Sequence, residues 1–356
     1  MRRSSLTRLL LIAGALAALV ACGGSSDNGG GAQSAADIGS GQLQGAGATF
    51  PEPFYTKAFY QYNADHSKVS VNYQAIGSGG GIQQFTKGTV DFGASDVPMT
   101  AAEVAAAGGD STLIQFPTTI GVAAISYNLA GVDKLKLDGP TLADIYLGKI
   151  KTWDNDKLKA LNGGAKLPST PITVVHRSDG SGTSYAFTDY LSKVSPDWKS
   201  AVGVGKAVQW PAGTGAKGNE GVGQAVKSTD GAIGYVELAY VIQSKLQTAQ
   251  LKNHNGKFVA PSEGGATAAA ASLKGVSSTN FSITDAPGDT AYPISTYSWV
   301  IVKSEQKDAQ KGKALVELFK WLVDSGQPIG KDLQYAPLPK EAKDYSQAQL
   351  KKVKVA

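Results

Sequence analysis

The sequence predicts an α/β fold, and two features of the chain support that prediction. Short apolar runs typical of buried strands alternate with segments whose apolar residues recur at helical spacing, which is the pattern of successive βα units. Several of the strand-like runs end in glycine-rich turns that carry hydroxyl residues and lead into the next helix. With 356 residues, 42% of them hydrophobic and 18% charged, the chain is long enough for about two domains with cores of their own.

Residues 1–21 indicate an export signal. Three arginines flank or precede an apolar run over residues 9–20 that is too short to span a bilayer. The run ends at Ala21-Cys22, which resembles the cleavage box of bacterial lipoproteins, so we expect Cys22 to become the lipidated first residue. A plain secretory peptide with a spare cysteine is the alternative. Cys22 is the only cysteine in the chain, which leaves it no partner for an internal disulfide.

Residues 22–42 are rich in glycine, serine and alanine, and this composition predicts a flexible tether behind the lipid anchor. We expect folding to begin near Leu43 and no later run to span the membrane. The protein is then exported, periplasmic or at the cell surface, and held to a membrane by its lipid anchor only. The net charge of +5 includes three leader arginines and is too small for the basic face that a nucleic-acid partner requires.

The first βα turn lies at residues 45–52, with the sequence Gly-Ala-Gly-Ala-Thr-Phe-Pro-Glu. Thr49 and Glu52 have the spacing of a capping box, and Pro51 suits the first helical turn, so we expect Thr49 to begin a helix. The same turn leaves a hydroxyl and free backbone amides at the end of a strand.

Two further strand ends follow the same plan. A strand over residues 69–73 enters a glycine-rich turn that contains Ser78, and the next helix is expected near Ile82. A short strand before Ser95 ends in a polar loop at Asp96. Later segments continue the α/β pattern: a capped helix at 141–150, strands at 231–237 and 297–303, and an amphipathic helix at 313–324.

The most informative stretch is 176–184, His-Arg-Ser-Asp-Gly-Ser-Gly-Thr-Ser, which lies between a β-prone run and a segment with helical spacing. Its glycines let the backbone approach a ligand, and the first amides of a helix have no internal partner. Those amides, the hydroxyls of Ser181 and Thr183 and the charged fork of Arg177 would form an anion site at the positive end of the helix dipole. An ordinary capped helix with a surface arginine is the competing interpretation of this stretch alone.

The three turns together favour the anion site. Thr49, Ser78 and Ser181 each place a hydroxyl at a glycine-rich turn that opens a helix. Open α/β sheets bind ligands at the carboxyl ends of their strands, so these hydroxyls are expected to meet, joined by Arg177 and Asp96.

An enzyme is not expected. The segment 213–218 matches G-x-G-x-x-G by spacing, but it follows Trp210-Pro211 instead of a clean apolar strand. Ser181 in its Asp-Gly-Ser-Gly context could suggest a nucleophile, yet a triad needs a positioned histidine. The chain has three scattered histidines and one cysteine, which do not supply a metal cluster. We therefore expect a non-catalytic binding protein without cofactor or metal.

The motifs also resemble a known family, the phosphate-binding proteins of bacterial phosphate ABC importers. The resemblance runs in order from about Leu43 to the C-terminus, through residues 45–51, 77–81, 91–96, 144–153, 177–183, 217–221 and 231–237. It implies a periplasmic-binding-protein-like fold of type II, in which two α/β domains joined by two crossing strands close over one inorganic phosphate ion. It also implies permease subunits of an importer as partners, and we expect a monomer.

Carried over position by position, the resemblance implies phosphate contacts at Thr49, Phe50 through its amide, Ser78, Asp96, Arg177, Asp179, Ser181, Gly182 and Thr183. Asp179 would brace Arg177 through a charge-assisted pair. Two positions depart from the family pattern. Gly79 stands where a second serine is frequent, which removes a hydroxyl but not an amide, and His176 stands where arginine is common. For His176 a structural role against the sheet is the alternative.

The resemblance implies discontinuous domains. One would combine residues 43–126 with 296–356, and the other would be 127–295, with a hinge at crossing strands near Ile125 and Ile294. Two other functions stay open at this point. One is a binding protein for another oxyanion, such as sulfate or molybdate, and the other is a surface protein that keeps the fold as an adhesin or decoy.

Overall fold

The computed structural model describes residues 37–356. The expected signal peptide 1–21, Cys22 and most of the expected tether 22–42 lie outside the described residues. The first strand begins at Gly41, two residues before Leu43, because Gly41 and Gln42 already pair with the neighbouring strand at Val69 and Ser70. Within residues 37–356, no helix combines the length and the hydropathy needed to cross a membrane.

The described chain alternates strands with helices. The strands are β1 (Gly41–Gly47), β2 (Val69–Ala75), β3 (Phe92–Ser95), β4 (Leu113–Tyr127), β5 (Lys136–Leu137), β6 (Thr173–Arg177), β7 (Thr214–Ala216), β8 (Ala232–Glu237), β9 (Gln247–Thr248), β10 (Gln250–Lys252), β11 (Phe258–Val259), β12 (Ser295–Lys303), β13 (Glu305–Gln306) and β14 (Lys354–Val355).

The helices are α1 (Glu52–Asp65), α2 (Ser78–Lys87), α3 (Ala101–Ala106), α4 (Gly139–Tyr146), α5 (Asp156–Leu161), α6 (Gly182–Val194), α7 (Pro196–Ala201), α8 (Gly218–Ser228), α9 (Leu238–Ser244), α10 (Glu263–Ala271), α11 (Ala309–Leu322) and α12 (Lys340–Leu350). Short 3₁₀ helices occupy Asp110–Thr112 and Gln327–Leu333.

One mixed sheet organises the molecule, in the strand order β2-β1-β3-β12-β4-β8-β6-β7, with β9 added beside β4. We call β2, β1 and β3 the first half of the sheet, and β8, β6 and β7 the second half. Pairs within each half are parallel, as the βα pattern predicts. The central pairs of β3 with β12, β12 with β4 and β4 with β8 are antiparallel, which the parallel pattern did not predict.

The two central strands carry the chain between the halves. β4 pairs with β12 as far as Val122 and with β8 from Ala123 onward, and all of its residues are buried. The chain returns through β12, and the amide of Ala123 donates to the carbonyl of Ile294 at 2.9 Å, so the two crossings touch. Because β4 leaves the first half and β12 returns to it, the two strands run in opposite directions.

One apolar core continues through both halves. Aromatic side chains of α1 pack on the first half, where the rings of Tyr55 and Phe59 stack at 5.2 Å. In the second half, Phe187 stacks on Tyr235 at 4.3 Å. A smaller cluster around Phe85 joins α2 and α3 to β4 and β12 through Val104, Leu113 and Ile301. Such burial stabilises the fold by about 1.5–3 kcal/mol per large apolar side chain.

Two local predictions are wrong in detail. α2 begins at Ser78 and not near Ile82, because the glycines after Ser78 adopt helical conformation. Thr49 does not cap α1, whose N-cap is Pro51 with no side-chain cap hydrogen bond. The Thr49 hydroxyl contacts a residue of the second half instead, as described below.

Candidate functional site

Four turns meet at the carboxyl ends of the parallel strands. In the first half, Thr49 and Phe50 follow β1, Ser78 begins α2 after β2, and Asp96 follows β3. In the second half, Arg177 ends β6, Asp179 and Ser181 lie in the turn after it, and Gly182 and Thr183 begin α6. We call these nine residues the anion cluster. Hydrogen bonds connect most of them, directly or through Asn219, although 134 residues of chain separate Thr49 from Thr183. Phe50 and Ser181 are the chain neighbours of Thr49 and Gly182.

Ser78 joins the two halves directly. Its hydroxyl oxygen accepts the backbone amide of Asp96 at 3.3 Å and the backbone amide of Gly182 at 3.0 Å. Gly182 is the first residue of α6, and a Cβ added there would lie 2.5 Å from Asp96 Cβ. Glycine at this position is therefore what lets the N-terminus of α6 approach the end of β3 so closely.

Thr49 and Thr183 are joined through Asn219, a buried residue at the start of α8. The Asn219 Nδ2 donates to Thr49 Oγ1 at 2.9 Å and to Thr183 Oγ1 at 3.2 Å. The Asn219 backbone amide also donates to Thr49 Oγ1, at 3.2 Å. The sequence pattern predicted no role for Asn219, although this residue lies within the 217–221 stretch of the family resemblance.

Arg177 is held in place by Asp179. The Arg177 side chain is only 1% exposed, its Nε donates to Asp179 Oδ1 at 2.7 Å, and its Nη2 donates to Asp179 Oδ2. The remaining nitrogen, Nη1, donates to Thr183 Oγ1 at 3.4 Å. Burial raises the pKa of Asp179, but the hydrogen bonds and charge of Arg177 outweigh it, so that pKa lies below its ordinary value. The pair presents a fixed guanidinium to the cluster.

Asp96 is the buried acceptor of the cluster. Its Oδ1 accepts the hydroxyl of Ser298 at 2.8 Å, and its side chain is almost fully removed from solvent. Burial raises the pKa of Asp96 to about 7, against the lowering effects of the Ser298 hydrogen bond and the Arg177 charge. Burial therefore makes an unpaired negative charge on this carboxyl costly.

Three buried backbone amides of the cluster have no hydrogen-bond acceptor among residues 37–356. They belong to Phe50, Ser78 and Thr183, and each of these residues is at most 1% exposed. Two of them lie at helix N-termini, since Ser78 opens α2 and Thr183 is the second residue of α6. Buried amides without a partner are rare in folded proteins, and helix N-termini attract anions.

The hydroxyls of Thr49, Ser78 and Thr183 can act only as hydrogen-bond donors to a ligand. Each of these three oxygens already accepts two N–H groups, through the contacts given above. A hydroxyl has two acceptor lone pairs and one proton, so the proton is the only capacity left. The cluster thus combines amides, hydroxyl protons and a guanidinium with one carboxylate, and this set suits an oxyanion that carries a proton.

Ser181 and Phe50 play partly structural roles. The hydroxyl of Ser181 caps α6 by accepting the amide of Ser184 at 3.0 Å. The Phe50 ring is buried in the core, and its carbonyl accepts the hydroxyl of Tyr335 at 2.5 Å, which leaves only the Phe50 amide for a ligand.

The two departures from the family pattern have structural consequences. The amide of Gly79 is not available to a ligand, because it donates to the carbonyl of Gly180 at 2.8 Å. An added Cβ at Gly79 would lie 3.1 Å from the Gly180 Cα, so the two turns approach through their glycines. His176 stacks on Trp210 with ring centroids 4.7 Å apart, and burial lowers the pKa of His176. It packs against the sheet outside the cluster.

A cavity of about 300 Å³ borders the cluster beside Thr49 and Asp179. Lys217 and Tyr240 also line it, and the Tyr240 hydroxyl donates to the carbonyl of Thr49 at 2.7 Å. In the described part of the chain, no group of three or more histidine, cysteine, aspartate or glutamate side chains is arranged to hold a metal ion.

Known proteins are similar in sequence to this chain over most of its length. The family model of the PBP superfamily domain matches residues 32–324. The phosphate-binding protein PstS of Xylella fastidiosa (strain 9a5c) is 44% identical over 310 residues, which cover 86% of this chain and 84% of the relative. The phosphate-binding protein PstS of Pasteurella multocida (strain Pm70) is 45% identical over 313 residues, covering 87% of this chain and 90% of that protein.

Solved structures share the fold. A high-affinity periplasmic phosphate-binding protein (PfluDING), solved with bound phosphate, aligns with a TM-score of 0.70 at 21% identity, over 86% of this chain and 93% of its own. A phosphate-binding protein from Stenotrophomonas maltophilia aligns with a TM-score of 0.67 at 22% identity, over 87% and 94%. At these identities the likeness concerns the fold, and it confirms the expected two-domain α/β class.

Proposed function

The chain belongs to the PBP superfamily and, within it, to the family of phosphate-binding proteins that its curated relatives represent, and from this premise we propose that it binds inorganic phosphate and delivers it to an ABC importer. The family is one of substrate-binding proteins, and we extend the proposal to a protein without catalytic activity. Export is consistent with the family, and phosphate would be captured outside the cytoplasmic membrane.

One observation supports phosphate above all others: the anion cluster offers many donors and one carboxylate. The unpartnered amides, the three hydroxyl protons and Arg177 can all donate to oxygens of an anion. Asp96 can only accept when ionised, and phosphate keeps at least one proton near neutral pH that it can donate. Such an O–H···O⁻ bond is short, roughly 2.5–2.7 Å, and about twice as strong as a neutral one.

The proposed phosphate contacts are the nine residues of the anion cluster: Thr49, Phe50, Ser78, Asp96, Arg177, Asp179, Ser181, Gly182 and Thr183. Asp179 would act mainly by holding Arg177, and Ser181 by fixing the N-terminus of α6. The Gly182 amide, which now donates to Ser78, would be shared with the ligand.

Asp96 argues against sulfate and molybdate as the bound oxyanion. A fully deprotonated oxyanion has no proton to donate, so it would face a buried carboxylate in a site of low dielectric constant. The negative charges of the Asp96 carboxylate and of the oxyanion would repel each other, and such repulsion lets a site reject the wrong ligand.

The finer parts of the proposal concern organisation and location. We propose domains at residues 43–126 with 296–356 and at 127–295, a monomer, permease subunits as partners, and an anchor at Cys22. The crossings at 122–123 and 294–295 lie close to these bounds.

Phosphate released from the purified protein on denaturation tests the function, and competition tests its specificity. We expect close to one phosphate per chain. In the Asp96→Asn variant, phosphate affinity should stay within about tenfold, whereas the preference over sulfate should fall by about 10- to 100-fold, since a hydrogen bond to a charged group is worth about 1.5–3 kcal/mol. The measurement is displacement of labelled phosphate by sulfate.

Asp91→Asn is the matched control for this substitution. Asp91 lies just before β3, pairs with Lys311 outside the cluster, and should leave the preference unchanged. A wild-type protein that binds no phosphate would remove the proposed function, and an unaltered sulfate preference in Asp96→Asn would show that Asp96 is not the selecting group.

A further inference from the structure

The side chain of Asn219 contacts hydroxyl groups from both halves of the site. Its Nδ2 lies within hydrogen-bond distance of Thr49 Oγ1 and of Thr183 Oγ1, at 2.9 and 3.2 Å. Thr49 follows β1 in the first half, whereas Thr183 is the second residue of α6, which follows β6 in the second half. Asn219 itself is fully buried near the start of α8. A single amide group therefore links hydroxyls that belong to opposite sides of the cluster.

Glu237 determines which end of the Asn219 amide faces the threonines. The backbone N–H of Glu237 donates to Asn219 Oδ1 at 2.9 Å. A backbone N–H can only donate, so the oxygen must face Glu237 and the amino group must face the hydroxyls. Both hydrogens of that amino group are then available, one for each threonine.

The fixed amide in turn decides what the two hydroxyls can do. The second lone pair of Thr49 Oγ1 accepts the Asn219 backbone amide, and that of Thr183 Oγ1 accepts Arg177 Nη1. With both lone pairs used, each hydroxyl can only donate its proton. We propose that Asn219 is a positioning residue that joins the two halves and turns Thr49 and Thr183 into obligate donors to the bound anion, an inference that rests on the proposed phosphate binding.

This role differs from that of an ordinary buried amide. A packing residue would affect affinity by a constant factor whatever stands at Thr49, since it would act on the fold as a whole. A positioning residue acts through the hydroxyl it orients, so its effect should largely disappear once that hydroxyl is gone. The two roles therefore predict different results in a double-mutant cycle.

The cycle combines Asn219→Ala with Thr49→Val, which keeps the shape of threonine but lacks the hydroxyl. Phosphate affinity is measured by titration calorimetry on the full-length protein. We expect each single variant to bind inorganic phosphate about tenfold more weakly, and the double variant about 10- to 30-fold more weakly instead of the hundredfold product. The inference is overturned if the effects of the two substitutions on phosphate affinity multiply in full. It is also overturned if Asn219→Ala alone leaves phosphate affinity unchanged.

Asn253→Ala is the matched control. Asn253 is also buried and its Nδ2 also bridges distant groups, the carbonyls of Gly288 and Asp289, but none belongs to the anion cluster. The Asn253→Ala substitution should lower the unfolding temperature without changing phosphate affinity. If Asn219→Ala does not fold, the cycle is run with Asn219→Ser, which stays polar but is too short to reach both threonines. Failure of wild type to bind phosphate would instead remove the proposed function itself.

Discussion

At the scale of single residues, Glu237 is the buried carboxyl that the anion cluster does not use. It is fully buried at the end of β8, and its Oε2 caps α9 by accepting the amide of Ala239 at 2.8 Å. Its Oε1 accepts no hydrogen bond from the described residues, because the one proton of the nearby Tyr335 hydroxyl goes to the carbonyl of Phe50. Burial raises the pKa of Glu237 well above its ordinary value of 4.5.

This raised pKa predicts a loss of stability as pH rises. The folded protein holds the Glu237 proton more tightly than the unfolded chain, so this contribution is complete below about pH 4.5 and disappears as the pH passes the folded-state pKa. In Glu237→Gln the free energy of unfolding should vary less between pH 5 and pH 8 than in wild type. Urea unfolding at several pH values measures the difference.

The raised pKa of Asp96 also makes the folded protein less stable as pH rises. The Glu237→Gln profile is therefore compared with the wild-type profile. Burial raises the pKa of Asp96 to about 7, and Asp96 is present in both proteins, so its contribution is common to the two profiles. Glu305→Gln, at an exposed glutamate, is the control and should reproduce the wild-type profile. A Glu237→Gln profile parallel to wild type would contradict a folded state that retains this proton.

At the scale of elements, β4 and β12 connect the halves while the turns before α2 and α6 touch across the site. The crossings at 122–123 and 294–295 are the continuous backbone links between the sets of ligands. Polar contacts add to them, such as the ion pair of Lys206 with Glu103 at 2.5 Å. Because the proposed phosphate contacts come from both halves, binding should favour the conformation in which the halves are together.

Small-angle scattering with and without phosphate tests this closure. We expect a smaller radius of gyration with phosphate in wild type, and a reduced change in Gly182→Ala, because the added methyl would lie 2.5 Å from Asp96 Cβ and hold the turns apart. Gly264→Ala is the matched control, a glycine in α10 with open space around it. Identical profiles at saturating phosphate would contradict closure about the two crossings.

At the scale of the whole molecule, the proposed function requires the folded body to stay near a membrane importer. The proposed anchor is the lipid on Cys22, which the export signal and the Ala21-Cys22 junction suggest. A single acyl chain binds membranes only marginally, and stable anchoring therefore needs more than one.

Cell fractionation of a Cys22→Ser variant tests the anchor. We expect the variant protein to leave the membrane fraction while keeping its phosphate affinity, since Cys22 is not one of the proposed phosphate contacts. A variant that remains with the membranes to the wild-type extent would contradict lipidation at Cys22.

The sequence predicted the parts of the site that depend on near neighbours in the chain. The turns at Thr49, Ser78 and Arg177 each follow a strand and precede a helix, as their glycines and apolar spacing indicated. Hydroxyl and arginine side chains in such turns already favoured an anion. Two local expectations are wrong. Thr49 does not cap α1, because its hydroxyl accepts hydrogen bonds from Asn219 instead, and α2 starts at Ser78, because the glycines after it adopt helical conformation.

By itself, then, the sequence determined the α/β class, the order of the elements and the chemistry of the turns, since these follow from residue type and spacing over a few residues. Only the tertiary structure decided the antiparallel centre of the sheet, the loss of the Gly79 amide to Gly180, and the bridge from Asn219 to Thr49. Asn219 and Thr49 are 170 residues apart, and no local pattern specifies such a contact. It exists because packing of the two halves around β4 and β12 brings their strand ends together.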